Sequence, residues 1–244
     1  GHNRSVDEVV RAAVQEDVQG IAVSSYQGGH MDYFRYLIDA LKDQGASGIR
    51  VYGGGGGVIL PSEIAKLHEY GVARIFSPND GRDIGLQGMI NLMMRQCDFS
   101  TLDGFDPGTE PSDRNHPRNL AKSITIAENT SDEVQPAAVS AGCPVIGITG
   151  TGGSGKSSLT DELVRRFLRA YPDKNIAILS ADPTKQRTGG ALLGDRIRMN
   201  AVYSDRVFMR SLATRGSGNE LPAAIRQIIN VVNNAGFDCI LVET

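Results

Sequence analysis

Residues 143–171 read CPVIGITGTGGSGKSSLTDELVRRFLRAY. An apolar run, PVIGIT, ends in a glycine-rich turn. An amphipathic stretch follows, with Leu159, Leu163 and Phe167 predicted as its inward stripe. Strand, glycine loop and helix in that order form one half of a parallel α/β unit. Within the turn, Gly150-x-x-x-x-Gly155-Lys156-Ser157 is a complete P-loop. Gly150, Gly152, Gly153, Ser154 and Gly155 allow backbone N–H groups to converge, and the helix N-terminus adds partial positive charge. The pattern predicts a nucleoside triphosphate here. Lys156 would reach the β- and γ-phosphates as the catalytic lysine, Ser157 would offer its hydroxyl to Mg²⁺, and Ser158 would line the site.

Magnesium takes more oxygen ligands than one serine supplies. NIAILSAD (175–182) reads as a strand ending at Asp182, and Asp195 lies in GGALLGDRIRMN. The last strand, CILVET (239–244), carries Glu243 at the position where P-loop proteins commonly place an aspartate, followed by Thr244. The expected metal set is therefore Ser157, Asp182, Asp195, Glu243 and Thr244.

The first half alternates strand and helix. Ser5 with Glu8 fits a capping box for a helix carrying Val6, Val9, Val10, Ala13 and Val14. Strands are predicted at 20–25, 48–53 and 72–77, and helices at 31–45, 62–71 and onward to about Cys97. This order implies a parallel sheet with helices on its faces. The stretches leaving its strands are SSYQGGH, GGGGGV and SPND, all small, polar or glycine-rich. Ligands in open α/β sheets bind at the carboxyl ends of the strands. Three such loops on one edge predict a slot for a large, extended ligand. The run Gly53–Gly57 lies in the second of these loops, where a side chain would obstruct such a ligand.

Composition bounds the function. The chain has 244 residues, 40% of them hydrophobic, and a formal net charge of −3. That balance argues against nucleic-acid or membrane-surface partners. No apolar run is long enough for a transmembrane helix. Cys97, Cys143 and Cys239 lie far apart without metal spacing, which suits a reducing cytoplasm. Phe99 to Gly142 is rich in proline, glycine and charge and reads as a connector, so the expected domains are 1–98 and 143–244. The chain opens GHNRS and closes within a strand, so a piece of a larger protein is expected.

Two resemblances follow from these motifs. SSYQGGH, GGVI and SPND resemble the S-x-L and GG motifs of the cobalamin-binding domain of acyl-CoA mutases, with Tyr26 where leucine is usual. That resemblance implies a flavodoxin-like (Rossmann-type) domain. Its cleft, lined by Ser24, Ser25, Tyr26, Gly29, Gly56, Gly57, Val58, Ser77 and Pro78, would take the nucleotide tail of adenosylcobalamin, with Ser25 donating to the benzimidazole, Gly56 and Gly57 leaving room for the tail, and Gly53, Gly54 and Gly55 letting the backbone fold away from it. The cobalt-ligating D-x-H-x-x-G motif of that family does not occur here and would precede Gly1. His2, His30, His68 and His116 are given no catalytic role.

In the second half, ADPT, TGGALLGDRIRM and VET resemble the G-protein chaperones of cobalamin-dependent mutases. This implies GTP as the nucleotide, with Arg198 on it and Thr188, Gly189 and Gly190 in a switch. Both halves in this order resemble the fused isobutyryl-CoA mutase family. The implied protein is a homodimeric radical isomerase that binds its acyl-CoA on a barrel outside these residues. Two other readings fit the same residues: a corrinoid carrier with a nucleotide-driven activator, and a regulatory GTPase or ATPase whose N-terminal half docks a protein.

Overall fold

The computed structural model describes residues 4–26, 28–129, 142–182, 194–214 and 221–244, without the side chains of Asp182, Gly194 and Asp195. The chain divides into two compact units between Asp103 and Gly104.

In the first unit, α1 (Val6–Gln15) starts at Ser5, whose hydroxyl accepts the Glu8 amide while the Glu8 carboxylate accepts that of Ser5, the predicted capping box. Strands β1 (Gly20–Ser24), β2 (Arg50–Gly54) and β3 (Arg74–Phe76) form a parallel sheet in that spatial order. Helices α2 (His30–Asp43) and α3 (Pro61–Tyr70) fill the crossovers. Their apolar stripes join α1 in one core, centred on the fully buried Phe34, Leu37, Val51 and Leu67. The helical stretch predicted up to Cys97 is two helices, α4 (Pro78–Asp83) and α5 (Gly85–Cys97). His68 in α3 accepts the Ile75 amide at 3.0 Å, so it ties that helix to β3.

In the second unit, α6 (Pro117–Asn129), β4 (Val145–Ile148), α7 (Lys156–Ala170), β5 (Ile176–Asp182), α8 (Gly194–Arg198), β6 (Val207–Ala213), α9 (Ile225–Asn234) and β7 (Cys239–Glu243) follow one another. The sheet is wholly parallel, with spatial order β4-β7-β5-β6. Period-two alternation sorts its side chains onto two faces. Leu179, Phe208, Ile240 and Val242 pack with α6 and α9, while Ile178, Met209 and Leu241 pack with Val164 of α7.

Two expectations meet a different arrangement here. The stretch from Phe99, expected as a connector with a short helix in NLAKSITIAENT, does supply that helix as α6, but its Leu120, Ala121 and Ile124 are fully buried in the second core. Its apolar residues are spaced three and four apart, so one face is continuous despite the polar residues between. The predicted stripe of α7 is shifted. Leu159 and Leu163 are exposed, and Thr160, Val164, Phe167 and Leu168 turn inward.

Candidate functional site

The P-loop lies where β4 runs into α7. Gly155 caps the helix with φ of +90°, a left-handed conformation that costs a side chain about 1–2 kcal/mol. From the first turn of the helix, Lys156 folds back over the loop. Its ammonium donates to the carbonyls of Gly150 at 2.6 Å and Thr151 at 3.1 Å. Ser154 and Ser158 are exposed beside it.

The strand order explains the rest. Strand β7 is inserted between β4 and β5, so the last residues of the chain come beside the P-loop. Glu243 sits opposite Ile148 on one side and Ser180 on the other. Glu243 has the same strand parity as Leu241, and that is the face covered by α7. Its carboxylate accordingly meets the first turn of that helix. Ser157 donates to Oε1 at 2.7 Å and Thr160 to Oε2 at 3.0 Å. Glu243 is only 2% exposed, and no cationic side chain pairs with it among the described residues. Burying a carboxylate costs several kcal/mol. Two hydroxyl donors return about 1.5–3 kcal/mol each, so the arrangement leaves room for a cation to bind with gain. Thr244 donates its amide to Ile148, and its hydroxyl is buried with no hydrogen-bond partner among the described residues.

Of the other predicted metal and nucleotide residues, Asp182 terminates β5 and Asp195 lies in α8, but their side chains are outside the described residues, as are Thr188, Gly189 and Gly190 altogether. Arg198 is exposed at the end of α8. Among the described residues no three His, Cys, Asp or Glu side chains gather as a metal cluster. Thr160 escaped sequence reasoning; its signal was the spacing of three from Ser157, which puts both hydroxyls on one helix face.

In the first unit the loops at the carboxyl edge do converge. The Ser25 amide donates to Gly54 at 2.8 Å, the exposed Tyr26 ring lies over Gly56, and the Pro78 ring lies beside Gly57. Gly57 has φ of +93°, and a β-carbon there would stand 3.4 Å from Pro78. The reading of the other glycines is corrected. Gly53 belongs to β2, where a β-carbon would collide with Phe34 and Ile75; at Gly55 it would strike the Ser25 carbonyl. Core packing and close backbone approach, not folding of the backbone away from a ligand, require glycine at those two positions.

Around this edge Ser24 and Val58 are exposed, Gly29 precedes α2 in a left-handed conformation, and Ser77 caps α4. His30, 8% exposed, lies 3.1 Å from Glu63 through Nε2, and its Nδ1 is buried without a hydrogen-bond partner among the described residues. Asp80 is drawn two ways. Burial raises its pKa, but hydrogen bonds from Ser77 and the Arg74 guanidinium outweigh this and bring it down to about 2.

Comparison with known proteins identifies the family of the second unit. A family model for the methylmalonyl-CoA mutase-associated GTPase MeaB matches residues 120–244, just over half of the chain. A fused isobutyryl-CoA mutase of Geobacillus kaustophilus is 61% identical over 257 aligned residues, covering 100% of this chain and 24% of the relative. One of Cupriavidus metallidurans is 53% identical, covering 100% of this chain and 23% of the relative. A putative GTPase of Pyrococcus horikoshii is 40% identical over 133 residues, 52% of this chain and 41% of that protein. The chain thus spans about a quarter of the length of the fused mutases it matches. The chain belongs to the MeaB family of mutase-associated GTPases through residues 120–244, and over its full length it is similar to the fused isobutyryl-CoA mutases.

Proposed function

We propose that this chain couples a GTP-hydrolysing unit to a cobalamin-binding unit within an adenosylcobalamin-dependent acyl-CoA mutase. The observation that carries the nucleotide half is the grip of Ser157 and Thr160 on buried Glu243 beside the P-loop. The donor set fits a hard divalent cation: a hydroxyl and a carboxylate, both oxygen, with the carboxylate lacking a cationic partner among the described residues. Ser157 and Glu243 would hold Mg²⁺, directly or through water, with Thr244, Asp182 and Asp195 completing the site. Bound Mg²⁺ supplies charge neutralisation at the phosphates. Lys156 would exchange its two loop carbonyls for phosphate oxygens, and the loop amides would orient the triphosphate. Arg198 and the serines beside the loop, Ser154 and Ser158, are assigned to the nucleotide as well.

The cobalamin half rests on the three converging loops and on the similarity to the fused mutases. Gly56 and Gly57 present backbone without side chains, while Tyr26 and Val58 offer exposed apolar surface beside them. That combination suits the flat base of a nucleotide tail, within a flavodoxin-like unit. Adenosylcobalamin, when bound, supplies the radical chemistry. This chain's part is to seat the tail, with Ser24, Ser25, Gly29, Ser77 and Pro78 around it. The acyl-CoA would bind a barrel domain elsewhere in a homodimeric, cytoplasmic parent protein, and GTP hydrolysis would gate cofactor loading.

Titration of the parent protein with adenosylcobalamin, followed by visible absorbance, tests the reading. A saturable shift to the base-off, histidine-ligated spectrum is expected. No shift from a folded protein that still binds GTP would sink the cobalamin half and leave a GTPase with a docking unit.

A further inference from the structure

Thr160 occupies a core position on the inward stripe of α7 and is fully buried. Valine would fill the same volume there without a hydroxyl to satisfy. The hydroxyl lies 3.0 Å from two acceptors, the Lys156 carbonyl and Glu243 Oε2. It has one proton to give. The Lys156 carbonyl already takes the helical amide of Thr160, four residues on. Oε2 of a carboxylate is the stronger acceptor, and the bond to it is the one that offsets burial of the charge.

The consequence is geometric. With Oε2 fixed by Thr160, rotation of the carboxylate about its long axis is blocked. Oε1 then stays directed at Ser157, 2.7 Å away. Ser157 and Thr160 stand three residues apart, so a single helical turn grips both oxygens. We infer that Thr160 is a positioning residue, which presents Glu243 and Ser157 together to the Mg²⁺ of the bound nucleotide. The inference rests on the nucleotide reading given above. It adds a residue outside the P-loop pattern whose effect passes through Glu243 and not through the phosphates.

The test measures release of a fluorescent guanine nucleotide from the full-length parent protein against Mg²⁺ concentration. Thr160→Val should need roughly tenfold or more additional Mg²⁺ to retain the nucleotide, as loss of a partner that orients a metal ligand does. Its release rate in excess chelator should match the wild type, because the loop and Lys156 are intact. Thr160→Ser loses the methyl and keeps the hydroxyl; it should keep the wild-type Mg²⁺ dependence. An unchanged Mg²⁺ dependence in folded Thr160→Val overturns the inference. So does a tenfold greater Mg²⁺ requirement in Thr160→Ser, even if Thr160→Val does not fold. Nucleotide retention by the wild type that ignores Mg²⁺ altogether would remove the underlying nucleotide reading, and this inference with it.

Discussion

Lys156 shows how far one residue was legible. Its place in the P-loop pattern follows from sequence alone, and its present partners, the Gly150 and Thr151 carbonyls, are the kind a phosphate would replace. Lys156→Ala should lower nucleotide hydrolysis by about 10²- to 10³-fold, the usual cost of removing one preorganised charge donor. A steady-state assay of the parent protein checks this, and unimpaired turnover would defeat the assignment. Thr160 was not legible, because its role depends on which face of α7 meets β7. Leu159 and Leu163 looked like the inward stripe by hydropathy, yet both face outward. Gly57 was legible as special, but its left-handed φ was not. That conformation complicates its test, since any side chain there is strained. Gly57→Ala and Gly57→Leu share the backbone penalty, and only leucine adds bulk at the loop edge. Leucine should therefore weaken adenosylcobalamin binding well beyond alanine. Equal affinities in a titration would argue against a tail at this position.

At the scale of elements, the strands and helices flanking the three loops were readable from alternation and capping, because each carries its own periodicity. Strand β6 and helix α9 went unread, as did the attachment of α6. Beside the apolar packing of α6 stands a polar contact between residues about eighty apart. Arg210 of β6 donates to Glu128 at 2.8 Å and Thr125 at 2.9 Å, with both charged side chains nine-tenths buried. Removing one partner of such a pair costs about 3–5 kcal/mol, because the other charge stays buried. Glu128→Ala should thus lower the unfolding midpoint of the second unit in urea sharply. Replacing both residues by apolar ones of similar volume should recover most of that loss. If the single variant unfolds with the wild type, the pair is not what secures α6. A second element, α4, depends on the Asp80 cap. Its pKa of about 2 lies below that of a free carboxylate. Its stabilisation is therefore full above about pH 4 and lost as pH falls toward 2. Asp80→Asn should flatten the fall in thermal stability of the first unit across that window. An identical acid limb in both proteins would locate the effect elsewhere.

At the scale of the molecule, the sequence carries two sets of glycine-rich loops, and the structure separates two cores. Each unit has its own parallel sheet and its own loops at the carboxyl ends of its strands. That much was legible, because both loop sets carry local glycine signals. The boundary was less so. Residues 104–129 have the composition of a connector, yet their single apolar face commits them to the second unit. The helix next to the first unit in sequence is consequently part of the nucleotide unit's core. If GTP gates cofactor loading, linkage makes the effect reciprocal: cobalamin must change nucleotide affinity by the same factor that nucleotide changes cobalamin affinity. Coupling of this kind is typically about 5- to 150-fold. The affinity of the parent protein for a non-hydrolysable GTP analogue should therefore shift by at least about fivefold when adenosylcobalamin is saturating. Equal affinities with and without cofactor would mean that GTP binding and cobalamin binding share no free energy, and gating by nucleotide binding would have to be abandoned in favour of gating by hydrolysis alone.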